Sequence, residues 1–247
     1  MNRRRQEYGT VVIVGGGCYG SWYLQQLLRA RRAGAVVWRQ VLVVDRNSAC
    51  KAAPALERET AVGLVTSGWS EFFSDYLSRW EQGADAPPDT IVPSPLMPHL
   101  MYEWVRDRAI DRWPHRSVET LPLEGSAGTP WESAAPDGTR YVSFAEWMCP
   151  INCIEPELCP HTRAARDWTM PAAASAYVAA RREAGQDVLG PLVFHCTHRV
   201  YGVGMIDTSA VVQADRTIGE AAENAPATFL VGTVSHCHGA LNVLRVS

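Results

Sequence analysis

The sequence contains no apolar run near the roughly 18 residues that a membrane-spanning helix needs, so no membrane partner is expected. Charge of one sign is also scarce. The 247 residues carry a net charge of −3, which gives no electrostatic footprint for nucleic acid. An export signal is not expected either. After the short basic start "NRRR", the apolar run "VVIV" is too short for a signal-peptide core and ends in glycines. The seven cysteines are an odd number, which argues against a disulfide framework in a chain without an export signal. A cytoplasmic chain follows as the expectation, and in that reducing compartment clustered thiols bind metal or do redox work. The nine tryptophans are scattered without a repeat and read as packing residues.

What is present begins with "TVVIVGGGCYGSWYLQQLLRARRAG". Val11 to Val14 form a buried strand. Gly15, Gly17 and Gly20 fit G-x-G-x-x-G, with Gly16, Cys18 and Tyr19 inside the loop. Tyr23, Leu24, Leu27 and Leu28 then repeat at helical spacing. "AVVWRQVLVVD" is a second strand that ends in Asp45. The first glycine of such a unit permits a tight turn. The second lets a pyrophosphate approach the backbone, and the third lets helix and strand pack closely. The helix N-terminus offers free N–H groups and a positive dipole end.

Strand, glycines, helix, strand and acid in this order resemble the Rossmann-type NAD(P)- or FAD-binding family over residues 11–45. That resemblance implies a dinucleotide held by Gly15, Gly16, Gly17, Cys18, Tyr19, Gly20, Asp45 and Arg46, with Asp45 on the ribose hydroxyls. Asp45 lies 25 positions after Gly20, somewhat more than the usual roughly 20. Asp45 rejects a 2′-phosphate and Arg46 welcomes one, which leaves NAD and NADP both open. The other readings are a βαβ turn without ligand and a site for another nucleotide such as S-adenosylmethionine.

The α/β alternation continues. "TAVGLVTSG", "DTIVPSP" and "SVETLPL" read as strands three to five, and "WSEFFSDYLSRWEQ" and "LMPHLMYEWVRDRAI" as helices. The predicted fold is α/β, a doubly wound and mostly parallel Rossmann-like sheet. The Gly-, Pro- and Ser-rich stretch over 124–139 marks a boundary. It separates a dinucleotide-binding domain over 1–125 from a Cys/His-rich α/β portion over 140–247, which can continue the same sheet.

The second portion opens with "WMCPINCIEPELCPHT". Cys149, Cys153, Cys159 and His161 crowd together there, and Pro150, Pro156 and Pro160 exclude a regular helix. A stiff loop with converging thiolates suits a soft metal. Zinc would take all four residues as a tetrahedral Cys3His set. An iron–sulfur cluster would take the three cysteines and one distant ligand. Proline after Cys149 and Cys159 resembles the ferredoxin pattern, although the spacing differs. A reactive thiol pair and buried small hydrophobes are the remaining readings.

Further on, "LVFHCTHRV" and "FLVGTVSHCHGALNV" read as strands ending in His and Cys. Alternation puts Cys196 with His198, and His236 with His238. If the strands are neighbours, these groups converge. Cys196 or Cys237 can instead supply the fourth ligand of the cysteine loop. Helices are expected after Asp207 or Thr208 and from Pro171 to Gly185.

The function these features point to is a dinucleotide-dependent oxidoreductase with a Cys/His metal or iron–sulfur site near the cofactor cleft. His198, His236 and His238 are the candidates for proton transfer. NAD(P) is the leading cofactor. FAD becomes the better choice if the cysteines hold an iron–sulfur cluster, because a nicotinamide moves two electrons and a cluster one. "ATFLVGTVSHCHG" is loosely similar to the second flavin-contact segment of FAD enzymes, without the acid expected after the glycine. Expected partners are a small-molecule substrate or a redox partner, and a second copy in a homo-oligomer. The alternative is a non-enzymatic sensor. The N-terminal unit also resembles the ligand-sensing Rossmann modules of regulatory proteins such as potassium-transport regulators, and the cysteine loop would then sense metal or redox state.

Overall fold

The computed structural model describes residues 5–57, 59–81, 83–97, 99–147, 149 and 153–247. The basic start at residues 2–4 and the break expected at Pro150 lie outside the described residues. In chain order the elements are β1 (Gln6–Val14), α1 (Cys18–Arg32), β2 (Val36–Asp45), α2 (Ala53–Leu56), β3 (Val62–Thr66), α3 (Trp69–Ser78), β4 (Thr90–Val92), α4 (Leu100–Arg112), β5 (Val118–Leu121), β6 (Trp131–Ala134), β7 (Arg140–Ser143), α5 (Met170–Glu183), β8 (Val188–His195), β9 (Thr197–His198), β10 (Gly204–Asp207), α6 (Thr208–Ala221), β11 (Ala227–Val234) and β12 (His238–Val246). They make a mixed α/β fold with two mixed sheets. Among the described residues, no helix is long and apolar enough to cross a membrane.

The chain divides into two compact units. Unit 1 runs to Leu100 and takes in Cys196–Val212; unit 2 is Met101–His195 with Gln213–Ser247. The stretch over 124–139, expected as a boundary, falls inside unit 2. Its Gly and Pro residues serve a β6–β7 hairpin instead. Asp137 accepts the Thr139 N–H at 3.0 Å, and Gly138 turns the chain with φ +88°.

Unit 1 is built on a sheet of order β3-β2-β1-β4-β10-β9. The first four strands pair in parallel, while β10 and β9 run antiparallel. Because β1 is a central strand covered on both faces, it carries an unbroken apolar run rather than an alternation: Val11, Val12 and Ile13 are all fully buried. Helix α1 lays Leu24, Leu27 and Leu28 on Ile13 and Val43 in one core cluster. Each fully buried leucine stabilises this contact by about 1.5–3 kcal/mol. Arg29, Arg31 and Arg32 in the last turn of α1 complement its dipole.

Unit 2 carries the order β6-β7-β12-β11-β8, with β5 also on β12. Among the described residues, only β11 and β8 pair in parallel there. The doubly wound, mostly parallel sheet expected from the sequence is therefore met in its coarser form alone. Val118–Leu121 is a strand, yet it pairs antiparallel with Val243–Val246 of β12 and not as a fifth parallel strand. Helix α5 forms where expected. Thr169 caps it by accepting the Ala172 N–H at 3.1 Å, Pro171 sits in its first turn, and Gly185 with φ +81° follows its end. Met170, Ala174, Tyr177 and Val178 pack on Leu230, Val234, Leu241 and Val243.

Candidate functional site

In unit 1, the end of β1 runs into α1 through the three glycines. Each has a different environment. Gly15 takes φ +85°, a conformation that an L side chain rarely adopts, and donates its N–H to the Val44 carbonyl at 2.8 Å. At Gly20 a methyl would overlap the Gly15 carbonyl oxygen, so this position fixes how closely α1 approaches β1. Around Gly17, the N-cap of α1, a Cβ would meet nothing within 4 Å. The middle glycine is exposed and its face is open. Cys18 is exposed beside it and Tyr19 is half-buried. Gly16 is enclosed: a side chain there would run into the Cys50 thiol.

Asp45 closes the loop from the end of β2. Its Oδ2 accepts the Gly16 N–H at 2.7 Å and its Oδ1 accepts the Asn47 N–H at 2.8 Å. Each carboxylate oxygen keeps a second lone pair for an outside donor. Arg46 lies exposed against Gly68. A cavity of about 300 Å³ opens beside the loop, lined by Asp45, Arg46, Trp69, Ser70 and Met97. Trp69 is fixed there by donating its Nε1–H to the Val44 carbonyl at 3.0 Å. The only lysine of the sequence, Lys51, places its ammonium 3.7 Å from the Cys18 sulfur at the start of α1. Sequence patterns miss Lys51, Trp69 and Met97, because they reach the loop from other segments. For Lys51 the one available signal is its uniqueness.

Cys196 and His198 also belong to unit 1. Both flank Gly204 of β10, where an added Cβ would lie 2.7 Å from the Cys196 sulfur and 3.8 Å from His198 Nε2. The pairing of these two residues on one face accords with strand alternation. The run they end is split, however. β8 stops at His195 in unit 2, and β9 starts at Thr197 in unit 1.

The remaining thiols and imidazoles lie in unit 2. The segment 153–168 lies along the β11–β12 turn, which carries His236 and Cys237 and leads into His238, the first residue of β12. Glu155 ties the two together by accepting the His236 N–H at 3.1 Å and the Cys237 N–H at 3.3 Å. It does so from a left-handed backbone with φ +51°. The Met170 N–H donates to the His236 carbonyl at 2.9 Å, and the Phe144 N–H to the Cys237 carbonyl at 2.9 Å. The turn is thus pinned from three sides.

The thiols differ in their surroundings. Burial pushes the Cys149 thiol pKa up, and the neighbouring thiols of Cys153, Cys237 and Cys159 add to the shift. Burial also raises Cys237, against the Trp168 indole N–H, which donates to its sulfur at 3.5 Å. Cys159 moves the other way. The Thr162 amide N–H holds its pKa down and the His161 amide helps, although burial opposes both. Arg166 Nη2 reaches the Cys153 sulfur at 3.9 Å.

His161, expected as a ligand through its ring, is exposed and lies flat on Trp147, with ring centroids 4.4 Å apart. What it turns toward Cys159 is its amide. His238 Nδ1 lies 2.9 Å from the Ser143 hydroxyl, and burial lowers its pKa against the pull of Glu155. The imidazole is therefore neutral near pH 7 and able to accept a proton. Among the described residues, no group of three or more His, Cys, Asp or Glu side chains is already arranged to hold a metal ion.

No curated protein and no solved structure matches the chain. A family match does exist, and it starts where unit 2 starts, at Met101. Residues 101–247, more than half of the chain, match the family described as AF_1314_C, "Uncharacterized protein, C-terminal domain", and the chain belongs to that family.

Proposed function

We propose that the chain is a dinucleotide-dependent oxidoreductase, in which unit 1 binds NAD(P) or FAD and unit 2 carries a Cys/His redox or metal centre. The observation that carries this reading is the separate environment of the three glycines. A turn at Gly15, an open face at Gly17 and a close approach at Gly20 are the three roles a pyrophosphate-binding loop requires. The parallel order β3-β2-β1-β4, with the loop at the end of the central strand, supports a Rossmann-like arrangement for unit 1.

In this reading the pyrophosphate lies over Gly17 and the N-terminus of α1, and Lys51 supplies countercharge. Asp45, oriented by two amides, takes the ribose hydroxyls. The cavity beside Trp69 receives the adenosine end, where Arg46 can meet a 2′-phosphate. His198, His236 and His238 are the candidates for moving the substrate proton, and a neutral His238 suits a base. The substrate is a small molecule or a redox partner, and a homo-oligomer is the expected assembly.

The test is titration of the purified chain with NADH, NADPH and FAD, followed by calorimetry. One of the three should bind, and Gly17→Val should abolish binding while the circular dichroism spectrum is kept. No binding of any of them, or an unchanged titration in folded Gly17→Val, would reject the reading.

A further inference from the structure

Cys196 and His198 flank the edge of the unit 1 sheet from which the glycine loop emerges. β10 runs antiparallel to β4, and Ile206 pairs with Ile91. Gly204, the first residue of β10, therefore lies just past the C-terminal end of β4. Ile13 of β1 pairs with Val92, the last residue of β4, so β1 gives way to the loop at that same edge. Ligands of open α/β sheets bind outside the carboxyl ends of the parallel strands. β1, β4 and β10 are consecutive neighbours. At the usual strand spacing of about 4.8 Å, Gly204 lies roughly 10 Å along the edge from β1. It lies on the side away from Asp45, which ends β2 on the other flank of β1.

The thiol and the imidazole meet over Gly204. The Cys196 sulfur and His198 Nε2 lie 2.7 and 3.8 Å from a single point, the place of a Cβ on that residue. A glycine inside a strand marks a close approach, and here the missing side chain leaves room for the sulfur. Both residues are half-buried, the partial exposure that suits a reactive thiol. Arg199 braces the short β9 between them. Its Nε donates to Thr197 Oγ1 at 3.0 Å, and its Nη1 and Nη2 donate to the Asp207 carboxylate at 2.8 Å each. Its amide donates to the Val203 carbonyl at 3.0 Å. The Cys-Thr-His stretch is thus tied to the two ends of β10. Tyr23, early in α1, packs against the cluster that contains Val200, Val203 and Met205. Burial raises the Tyr23 phenol, and Cys196 and Tyr19 add to the shift.

We propose that Cys196 is the nucleophile and His198 the general base of an aldehyde oxidation. The proposal rests on the dinucleotide reading of unit 1 and names its substrate class. Oxidation of an alcohol needs a base but no nucleophile, whereas a thiol beside an imidazole can hold an aldehyde covalently. His198 takes the Cys196 proton. The thiolate bonds to the aldehyde carbon, and the carbonyl oxygen takes that proton from the imidazolium. The adduct then gives its hydroxyl proton back to His198 and its carbon-bound hydrogen away as hydride, which re-forms the carbonyl as a thioester. NAD(P)+, when bound, is the oxidant that takes the hydride. His198 releases its proton to solvent and next accepts one from water as the water attacks the thioester. The C–S bond breaks, the sulfur recovers its proton, and a carboxylic acid leaves. The net change is aldehyde, water and NAD(P)+ to carboxylic acid, NAD(P)H and a proton.

The test uses the full chain with NAD+ or NADP+ and acetaldehyde, hexanal or benzaldehyde. At least one aldehyde should yield reduced nicotinamide. Acid quenching should trap on Cys196 an adduct equal to the aldehyde mass less two hydrogens. Cys196→Ala should lose both signals and keep its melt and its nucleotide titration. His198→Asn should slow turnover by about a hundredfold or more. A second readout needs no nucleotide. Alkylation of Cys196 by iodoacetamide, located by peptide mass, should slow near neutral pH in His198→Asn and recover in alkali. Gly204→Ala displaces the sulfur and should slow turnover by up to about a hundredfold while nucleotide affinity is kept.

Turnover in folded Cys196→Ala equal to the parent overturns the nucleophile. An alkylation profile unmoved by His198→Asn overturns the base, and unchanged turnover in folded Gly204→Ala overturns the placement of the sulfur. A chain that binds nucleotide but leaves all three aldehydes unchanged defeats the aldehyde proposal alone. A chain that binds no nucleotide defeats the dinucleotide reading and the hydride step that rests on it. The alkylation profile then decides by itself whether the Cys–His pair stands.

Discussion

Replacing Gly20 with alanine would put a methyl 2.8 Å from the Gly15 carbonyl carbon and 3.3 Å from Ile13 Cγ2, and it would overlap the Gly15 carbonyl oxygen. The obstacle is backbone at the end of a central strand, which cannot rotate away. Overpacking typically costs about 1–3 kcal/mol, and a clash with fixed backbone belongs near 3. Alanine recovers about 1 kcal/mol through better helix propensity. The net loss is about 2 kcal/mol. At about 2–4 °C per kcal/mol for a chain of this length, the melting temperature falls by about 4–8 °C.

Gly17→Ala is the control. Its φ of −71° is ordinary for alanine and a Cβ meets nothing within 4 Å. The restricted unfolded chain contributes about 0.4–1 kcal/mol of stability, and a poorer N-cap takes back a similar amount. The melt should therefore stay within about 2 °C of the parent. Dinucleotide binding should respond in the opposite sense. It should weaken about tenfold in Gly17→Ala if one pyrophosphate–amide contact is lost, since tenfold corresponds to about 1.4 kcal/mol. Thermal melts by circular dichroism and calorimetric titration separate the two effects. A Gly20→Ala melt equal to the parent would refute the packing argument. Equal binding by Gly17→Ala and the parent would count against a pyrophosphate at that face.

Two further outcomes test unit 2. Asp215 is buried, 6% exposed, and receives Arg112 in a two-point pair at 2.9 Å, with Arg108 at 3.6 Å. Removing Arg112 leaves a buried carboxylate with only the weaker partner. Arg112→Ala should therefore cost about 2–3 kcal/mol, and Asp215→Asn less, because both arginines can reach water. Urea denaturation checks the order, and the reverse order would refute it. Burial would raise the Glu132 carboxyl, but the Ser126 hydroxyl, Arg140 and the Ala127 amide together hold it below its ordinary 4.5. Its stabilisation is therefore complete above that value and is lost as pH falls through the lower folded value. Glu132→Gln should be less stable than the parent by about 1 kcal/mol at neutral pH. The difference should shrink in acid, and one that grew on acidification would contradict the assignment.

The β1–α1–β2 unit is legible in the sequence because its signals are local. An apolar strand, the glycine spacing, helical leucines and a terminal acid all fall within forty residues. Helix α5 is legible for the same reason, through Thr169, Pro171 and Gly185. Strand direction is not encoded in this way. Val118–Leu121 has the composition of a strand in either orientation, and its hydrogen bonds are decided by β12, more than a hundred residues away. Nor does composition say which sheet a run joins. "LVFHCTHRV" is one apolar segment in sequence, yet its halves enter different sheets at His195 and Cys196.

The cysteine loop shows how far spacing rules reach. They find Cys149, Cys153 and Cys159 because these are close in sequence, and they favour His161 as the fourth group for that reason alone. Cys196 and Cys237 both remain open as distant alternatives on spacing. The fold separates the three candidates by different physics. The β8–β9 split assigns Cys196 to unit 1. A half-buried indole, Trp147, takes up the face of the His161 ring. The β11–β12 pairing, from Val234 with Gly239 outward, makes the turn that holds Cys237 under the Glu155 carboxylate. A neighbour supplied by a hairpin turn carries no spacing signal, since its distance along the chain is set by everything folded in between. What could point to it is the company it keeps. Arg166 and Trp168 lie just past the loop, and they are donors placed for sulfur that the loop itself does not exhaust.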